Sequence, residues 1–292
     1  MADSSRRVTR RLVKLSLAVL PRRAGVALGH RLRGREERAR ARRAHALVLS
    51  HAKSGRTWLR VMLSRLFQVR HGLPADQLME FDAWHRLDAA IPVLLYTHGH
   101  YLGGLFDDPA PTRGKPVVFL ARHPCDVAVS QYFHSAKRTK RYKRDLEGVR
   151  ADVSMFEFVM EGARGLPEIV DYLNAWERRL AGRENALVVS YEGLRERPHE
   201  GLGRVTAFLG LRFDPTEIAE AVAFGDFESL REKERTNFFR NARLAPRDPG
   251  DPDSFKVRRA KVGGYRDYFE PEQVQRLEAY VRERLATSYG YR

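Results

Sequence analysis

Residues 50–58 combine the side chains and the backbone flexibility that a phosphate-binding loop needs. A turn that leads into a helix directs backbone N–H groups at an anion, and a glycine such as Gly55 lets the chain come close to it. Because Lys53 precedes Gly55, the stretch is not the Gly-x-x-x-x-Gly-Lys-Ser/Thr loop of ATPases and kinases. It therefore predicts an anion site of another kind. Its candidate binding residues are Lys53, Ser54, Gly55, Arg56, Thr57 and Trp58.

A second candidate phosphate site begins at Arg122, directly after an apolar run, and includes Ser130 eight positions later. A guanidinium presents a planar fork of donors that matches phosphate oxygens. A serine hydroxyl about two helical turns further on adds another donor. These two side chains are therefore suited to bind an anion. Asp126 is expected to cap the helix that carries Ser130.

Both candidate sites stand where a buried strand gives way to a helix. Short apolar runs at residues 46–49, 116–120 and 186–189 predict strands buried on both faces. Such strands, alternating with helices, predict an α/β fold: a single P-loop-like domain with a central parallel sheet flanked by helices. Ligands of these folds bind at the carboxyl ends of the strands. Apolar periodicity predicts helices over residues 58–67, 127–132, 156–161, 168–180, 199–209 and 216–223, and from Pro271 onward.

In their order along the chain, the two motifs resemble those of the cytosolic-type sulfotransferases. The first matches the family's Pro-Lys-Ser-Gly-Thr-Thr-Trp loop except at Ala52 and Arg56. The resemblance spans about residues 44–285. It implies an enzyme that transfers a sulfuryl group from 3′-phosphoadenosine-5′-phosphosulfate (PAPS), releases adenosine 3′,5′-bisphosphate (PAP) and needs no metal ion.

The resemblance also implies a role for each motif. Lys53 is expected to stabilise the leaving 5′-phosphate, while Arg122 and Ser130 are expected to bind the 3′-phosphate. Tyr191 follows the third apolar run and matches a family tyrosine that touches the adenosine.

A fourth stretch, Val257–Phe269, resembles the family's Arg-Lys-Gly-x-x-Gly-Asp-Trp segment, which covers the 3′-phosphate. Arg258 and Arg259 are the residues that would bind this phosphate. Ala260 takes the place of the family's first glycine in this segment. Because a β-carbon disfavours a positive φ, we expect the cover to be looser or differently shaped at Ala260.

Thr97-His98 resembles the family's Lys-Thr-His, whose histidine is the general base for the acceptor. Neutral histidine suits that role near pH 7. His98 is the base we expect, and His100 is the alternative. Tyr96 stands in place of the family's lysine, so part of the positive charge around the transferring group must come from elsewhere. Arg56 is the candidate for that charge.

The positive charge of the chain is concentrated at its N-terminal end. The net charge is +16, and residues 1–43, with fourteen Arg or Lys against three acidic residues, account for +11 of it. The remaining +5 on residues 44–292 suits a small anionic ligand better than a polynucleotide, so no specific nucleic-acid partner is expected. A nucleic-acid-binding basic protein and a P-loop-type nucleotide kinase are the alternative classes. The single cysteine, Cys125, cannot form an intramolecular disulfide and indicates a cytoplasmic location.

These patterns predict a basic N-terminal arm, residues 1–43, followed by a sulfotransferase domain, residues 44–292. The apolar run 12–20 is too short to span a membrane, which leaves a solvated or docked arm and attachment to a membrane surface as two interpretations. The basic run 137–144 is either a solvated face or the acceptor entrance, and the second interpretation favours an anionic glycan or lipid headgroup. No motif identifies the acceptor, whether a small molecule, a glycan or a lipid.

Overall fold

One parallel β-sheet forms the centre of the part of the chain that the structure describes. The computed structural model describes residues 22–102, 106, 112, 114–139, 153–161, 163–241 and 244–291. The strands are β1 (Ala46–Ser50), β2 (Leu94–Thr97), β3 (Val117–Ala121) and β4 (Ala186–Ser190). They lie in the order β2-β1-β3-β4, and each neighbouring pair is parallel. The three predicted strands and the parallel sheet are confirmed, and β2 adds a strand at one edge.

The two central strands explain why the sequence folds in this way. β1 and β3 are buried along their whole length, so an apolar run without alternation is what their positions require. β2 alternates instead: Leu94 and Tyr96 pack with the cluster of apolar side chains around Val48. Successive side chains of a strand point to opposite faces, which places Thr97 on the other side of the sheet from Tyr96.

Helices follow the strands and cover the sheet. Each predicted helix is confirmed, with ends that differ by a few residues, and three further helices (the first, sixth and ninth) were not predicted. The helices are α1 (Arg22–Arg43), α2 (Arg56–His71), α3 (Pro124–Phe133), α4 (Met155–Glu161), α5 (Leu166–Leu180), α6 (Tyr191–Glu196), α7 (Pro198–Phe208), α8 (Pro215–Phe224), α9 (Phe227–Arg235) and α10 (Pro271–Arg284). A π-helical turn, His134–Arg138, continues α3.

The packing of α2 fixes the loop that precedes it. Leu59, Met62, Leu63 and Leu66 recur at helical spacing, are fully buried and pack with side chains of the sheet. The helix ends at Gly72, whose left-handed conformation (φ 60°) and N–H bond to the Gln68 carbonyl close its last turn. Because its apolar face is held against the sheet, the N-terminus of α2 has a fixed position beside the end of β1.

The chain divides into two units, Met1–Ala44 with Gly99–Arg113, and His45–His98 with Gly114–Arg292. The first contains α1, where Arg38 donates a hydrogen bond to the Tyr101 carbonyl (3.4 Å). The second contains the sheet and the other nine helices of the described chain. Among the helices described, none is both long and apolar enough to cross a membrane.

Candidate active site

The carboxyl ends of all four strands open onto one cavity of about 310 Å³ in the second unit. Every site residue predicted from the sequence lines this cavity except Ser54, which is buried behind the loop. The loop after β1, His98 after β2, Arg122 after β3 and Tyr191 after β4 all contribute. This is the position at which an open parallel sheet binds its ligand. The remaining predicted residues that line it are Ser130, Arg258, Arg259 and Ala260.

The loop after β1 has a backbone shaped for close approach to an anion. Lys53 and Gly55 both have positive φ values, 71° and 93°. A β-carbon on Gly55 would lie 2.5 Å from the ring of Tyr191, so only glycine fits at this position. No side chain of the described chain caps α2, which leaves backbone donors at its N-terminus for a ligand. The Ser54 hydroxyl is buried and has no hydrogen-bond partner among the described residues.

Arg122 connects the ends of three strands. Its Nη1 donates to the Lys53 carbonyl (3.1 Å), and its guanidinium carbon lies 4.4 Å from the centre of the Tyr191 ring. Its side chain is only 13% exposed, and its Nε is buried without a partner in the described structure. The two phosphate corners expected from the sequence are therefore in direct contact. One small ligand with two phosphate groups fits these neighbouring corners.

The prediction that Asp126 caps α3 is wrong. The N-cap is His123, whose Nδ1 accepts from the Cys125 N–H (3.3 Å), and Asp126 lies inside the first turn. Its carboxylate instead accepts from the backbone N–H groups of Gly263 (2.9 Å) and Tyr265 (3.0 Å). The helix that carries Ser130 therefore also holds the segment that was expected to cover the 3′-phosphate.

The covering segment keeps the backbone shape for which the family uses glycine. Ala260 has a φ of 50°, so it adopts the left-handed conformation although its β-carbon disfavours it. The left-handed conformation costs a non-glycine residue about 1–2 kcal/mol, which the contacts around the segment must offset. Arg258 lies over the Phe133 ring (4.0 Å) and donates to the Tyr268 hydroxyl. Arg259 pairs with Asp267 (2.6 Å), and both arginines line the cavity.

A buried ion pair, which the sequence did not predict, anchors the other end of this segment. Arg138 lies 3.1 Å from Glu234, and both side chains are less than a tenth exposed. Glu234 also accepts from the backbone N–H groups of Lys256 and Val257, the latter at 2.9 Å. Arg138 further donates to the Ala245 carbonyl (3.1 Å) and to the Ser254 carbonyl. Glu234 thus fixes the backbone immediately before Arg258.

His98 faces the cavity with both ring nitrogens engaged. Nδ1 lies 2.9 Å from the Ser50 carbonyl, and Nε2 lies 3.0 Å from Nη2 of Arg56. The alternative base, His100, lies in the first unit and is exposed. The Tyr96 hydroxyl lies 3.8 Å from the Met79 sulfur and does not line the cavity, so Tyr96 contributes nothing to the charge there.

The cavity is strongly electropositive. Burial, followed by the charges of Lys256, Arg138 and Arg122, lowers the pKa of Lys53 to about 7. Burial and the charges of Arg138 and Arg56 likewise lower the pKa of Lys256 to about 8. These shifts mean that the charged form of each lysine is less favourable than in water, and that an anion beside it would stabilise that form. Glu234 acts in the opposite direction on both lysines but is already paired with Arg138.

The basic run that was expected to be solvated or to line the acceptor entrance is only partly described. Lys137 is exposed and pairs with Asp251 (3.0 Å), whereas Arg138 is buried in the ion pair with Glu234. Lys140, Arg141, Lys143 and Arg144 lie outside the described residues. The two described members are thus engaged with the protein itself.

A parallel α/β sheet with a glycine loop, an uncapped helix and clustered cations at its strand ends defines a protein that binds the phosphates of a nucleotide. The chain belongs to the sulfotransferase domain family, whose family model matches residues 112–289. It is an enzyme that uses PAPS as its sulfuryl donor.

Animal and plant sulfotransferases are among the known proteins that are similar to this chain. Sulfotransferase 2A6 of Rattus norvegicus is 22% identical over 251 residues, which cover 82% of this chain and 84% of that protein. Cytosolic sulfotransferase 16 of Arabidopsis thaliana is 25% identical over 269 residues, covering 84% and 77%. The crystal structure of mouse sulfotransferase SULT7A1 complexed with PAP has a TM-score of 0.56 at 20% identity, covering 82% of this chain and 83% of that chain. The fold is therefore shared across most of the chain.

The lowered pKa of Lys53 predicts that PAP binding takes up a proton. At pH 8 the free protein holds Lys53 largely neutral, and the 5′-phosphate that is expected to contact it favours the charged form. We expect uptake of about one proton per PAP at pH 8 and an affinity that falls about tenfold per pH unit above it. Calorimetry in buffers with different ionisation enthalpies measures the uptake.

The direction of this pH dependence follows from the linkage between proton binding and PAP binding. The pKa of Lys53 is higher in the complex than in the free protein, so binding is strongest below the free value of about 7 and weakens as the pH rises through it. PAP itself is fully ionised above pH 7 and adds no opposing change. A flat affinity between pH 6.5 and 8.5 with no proton uptake would contradict the prediction.

Proposed function

We propose that this enzyme transfers the sulfuryl group of PAPS to a hydroxyl or amine of its acceptor, with His98 as the general base and without a metal ion. The observation that carries the proposal is the placement of the His98 ring on the cavity. A base must reach the acceptor proton from the same space in which the donor is bound. The bonds of the two ring nitrogens support this role.

The hydrogen bonds of His98 fix its tautomer. The Ser50 carbonyl can only accept, so Nδ1 carries the proton and donates to it (2.9 Å). Nε2 is then the unprotonated nitrogen, and it accepts from Arg56 at 3.0 Å. Tyr172 adds a hydrogen bond to the His98 carbonyl (2.8 Å), which holds the backbone of this residue. His98 therefore presents a basic nitrogen in a defined direction.

The contacts between the two phosphate corners support the nucleotide roles. Lys53, Ser54, Gly55 and Thr57, with the N-terminus of α2, would hold the 5′-phosphosulfate, because they combine a glycine turn with an ammonium and two hydroxyls. Arg122, Ser130, Arg258 and Arg259 would hold the 3′-phosphate. The Arg122–Lys53 contact (3.1 Å) keeps these two sets within reach of one small nucleotide. Trp58 and Tyr191, at 5.7 Å between ring centres, would contact the adenosine.

Arg56 supplies charge beside the base. It contacts Nε2 of His98 and lines the cavity, whereas Tyr96, in the position of the family's lysine, faces the Met79 side of the sheet. When Nε2 of His98 takes a proton, the Arg56 guanidinium must give up its hydrogen bond to that nitrogen and turn to the anionic group instead. We assign Arg56 to the sulfuryl-bearing end of the site for this reason.

The acceptor is proposed as a small molecule, a glycan or a lipid with a free hydroxyl or amine. Two solved structures of retinol dehydratase, similar in fold, contain retinol or androsterone together with PAP, and support a small acceptor. We assign the activity to residues 44–292 and place it in the cytoplasm, as for the plant relatives that are named cytosolic sulfotransferases.

Replacing His98 by glutamine tests the base. We expect kcat/KM to fall by about 10²-fold and its acidic limb to disappear from the pH profile, since glutamine cannot take a proton. PAP affinity should change by less than about threefold, because His98 is not assigned to the nucleotide. His100→Gln is the matched control and should keep the acidic limb. An acidic limb that survives in His98→Gln would remove His98 from this role, and its loss in His100→Gln would transfer the role there.

A further inference from the structure

Two lysines face the same cavity without an anionic partner. Lys53 belongs to the loop after β1, and Lys256 to the segment after the turn Pro252–Ser254. Neither ammonium makes an ion pair or a hydrogen bond with another residue in the part of the chain that the structure describes. Other cations of the cavity are occupied: Lys261 pairs with Asp267 (2.8 Å), Arg259 with the same carboxylate and Arg138 with Glu234. Lys53 has a role in the proposed function, and Lys256 has none.

The backbone of Lys256 is held in place. Its N–H and that of Val257 donate to the two oxygens of Glu234, which is itself clamped by Arg138. A lysine at the tip of a loose loop would turn its ammonium to water. Here the anchored backbone and the lining of the cavity keep it inside the site.

Lys256 shares its cavity with Lys53 and with the base, His98. The charges that act most on Lys256 are Arg138, Arg56, Glu234 and Arg60, and two of these belong to α2. Arg56 in turn contacts His98 at 3.0 Å. Lys256 thus lines the same space as Arg56 and His98, the groups proposed for the sulfuryl-bearing end of the site.

We infer that Lys256 is a further catalytic residue, whose ammonium binds the sulfuryl oxygens of the donor while Lys53 binds the leaving phosphate. This inference rests on the proposed function. It also explains how the site functions without the lysine that Tyr96 replaces: the missing charge comes from Lys256 together with Arg56.

The chemistry of the step needs charge at both places. The S–O bond to the 5′-phosphate breaks and its electron pair goes to the phosphate oxygen, while a new bond forms between the sulfur and the acceptor oxygen or nitrogen, whose proton passes to Nε2 of His98. Lys53 stabilises the charge that grows on the phosphate. Lys256 and Arg56 hold the sulfuryl oxygens in line with the acceptor, so that the transfer proceeds with little reorganisation.

The test compares the binding of PAPS and PAP to Lys256→Met. Because PAP lacks the sulfuryl group, we expect its affinity to change by less than about threefold, whereas PAPS affinity and kcat each fall by about 10- to 100-fold. At pH 8 the wild-type protein should take up more protons with PAPS than with PAP, and this difference should vanish in the variant. Lys256→Arg, which keeps the charge, should restore at least part of both effects. Lys115→Met, outside the cavity, is the matched control and should behave as wild type.

The outcomes separate this inference from the proposed function. If the wild-type protein binds PAPS and transfers its sulfuryl group but Lys256→Met does so equally well, the inference is wrong and the proposed function stands. If PAP and PAPS affinities fall together in Lys256→Met, Lys256 binds a phosphate and the assignment to the sulfuryl group is overturned. Failure of the wild-type protein to bind PAP would reject the proposed function itself.

Discussion

Replacing Lys53 by alanine lowers kcat at saturating PAPS by about 10²–10³-fold, as the loss of one preorganised charge does at other sites of this kind. The reason is that the charged form of the Lys53 side chain is destabilised in the free enzyme. Burial and three surrounding cations hold the pKa of Lys53 at about 7, so its charge is favourable mainly when an anion is beside it. That anion carries the most charge when the leaving phosphate departs, and the contribution of Lys53 is then largest.

Steady-state kinetics at saturating donor, followed by single-turnover measurements, test this expectation. Lys53→Arg separates charge from geometry: it keeps a cation but cannot place it in the same left-handed turn (φ 71°) with the same reach, so we expect only partial recovery. Lys115→Ala, a lysine outside the cavity, should leave kcat unchanged. Equal turnover of Lys53→Ala and the wild-type enzyme would remove Lys53 from the chemical step.

Replacing Glu234 by alanine lowers the free energy of unfolding by about 3–5 kcal/mol, the cost of breaking a buried ion pair. The side chain of Glu234 is 4% exposed and that of Arg138 is 8% exposed, so the guanidinium would keep its buried charge without compensation. The backbone N–H groups of Lys256 and Val257 would lose their acceptor at the same time. Arg138→Met in the same background should restore part of the loss, since it removes the uncompensated charge.

Denaturant unfolding of these variants provides the measurement. Glu232→Ala is the matched control because Glu232 lies in the same helix, α9, but forms its ion pair with Arg235 on the exposed surface. Exposed pairs contribute little, so this variant should unfold close to wild type. If Glu234→Ala were no less stable than Glu232→Ala, the ion pair would have no structural role.

The parts of the site that the sequence predicted are local in the chain. The loop around Gly55 and the Arg122–Ser130 pair each lie within ten residues at a strand end, so composition and spacing were enough to find them. The orientation of Tyr96 could also have been predicted from the sequence, because successive side chains of a strand point to opposite faces of the sheet, which puts Tyr96 on the other face from Thr97.

The missed residues share a different property: their partners lie far away in sequence. Glu234 meets Arg138 from 96 positions away, and Asp126 meets Gly263 from 137 positions away. In the sequence alone, a glutamate in the charged helix α9 is interpreted as an ordinary surface residue, and an aspartate just after a helix start is interpreted as a helix cap. Only the fold shows the distant partner of each. Lys256 was also missed, because nothing around it in the sequence distinguishes it from a solvated lysine.

The segment that carries Lys256, Arg258 and Arg259 is fastened at two places. Glu234 holds the backbone at residues 256 and 257, and Asp126 holds it at residues 263 and 265. The conformational entropy of this strap is therefore lost during folding and not when the nucleotide arrives. Donor association should therefore be rapid, and its rate should depend on viscosity and temperature only as far as diffusion does. We also expect this segment to be as protected from amide hydrogen exchange before PAP is added as afterwards.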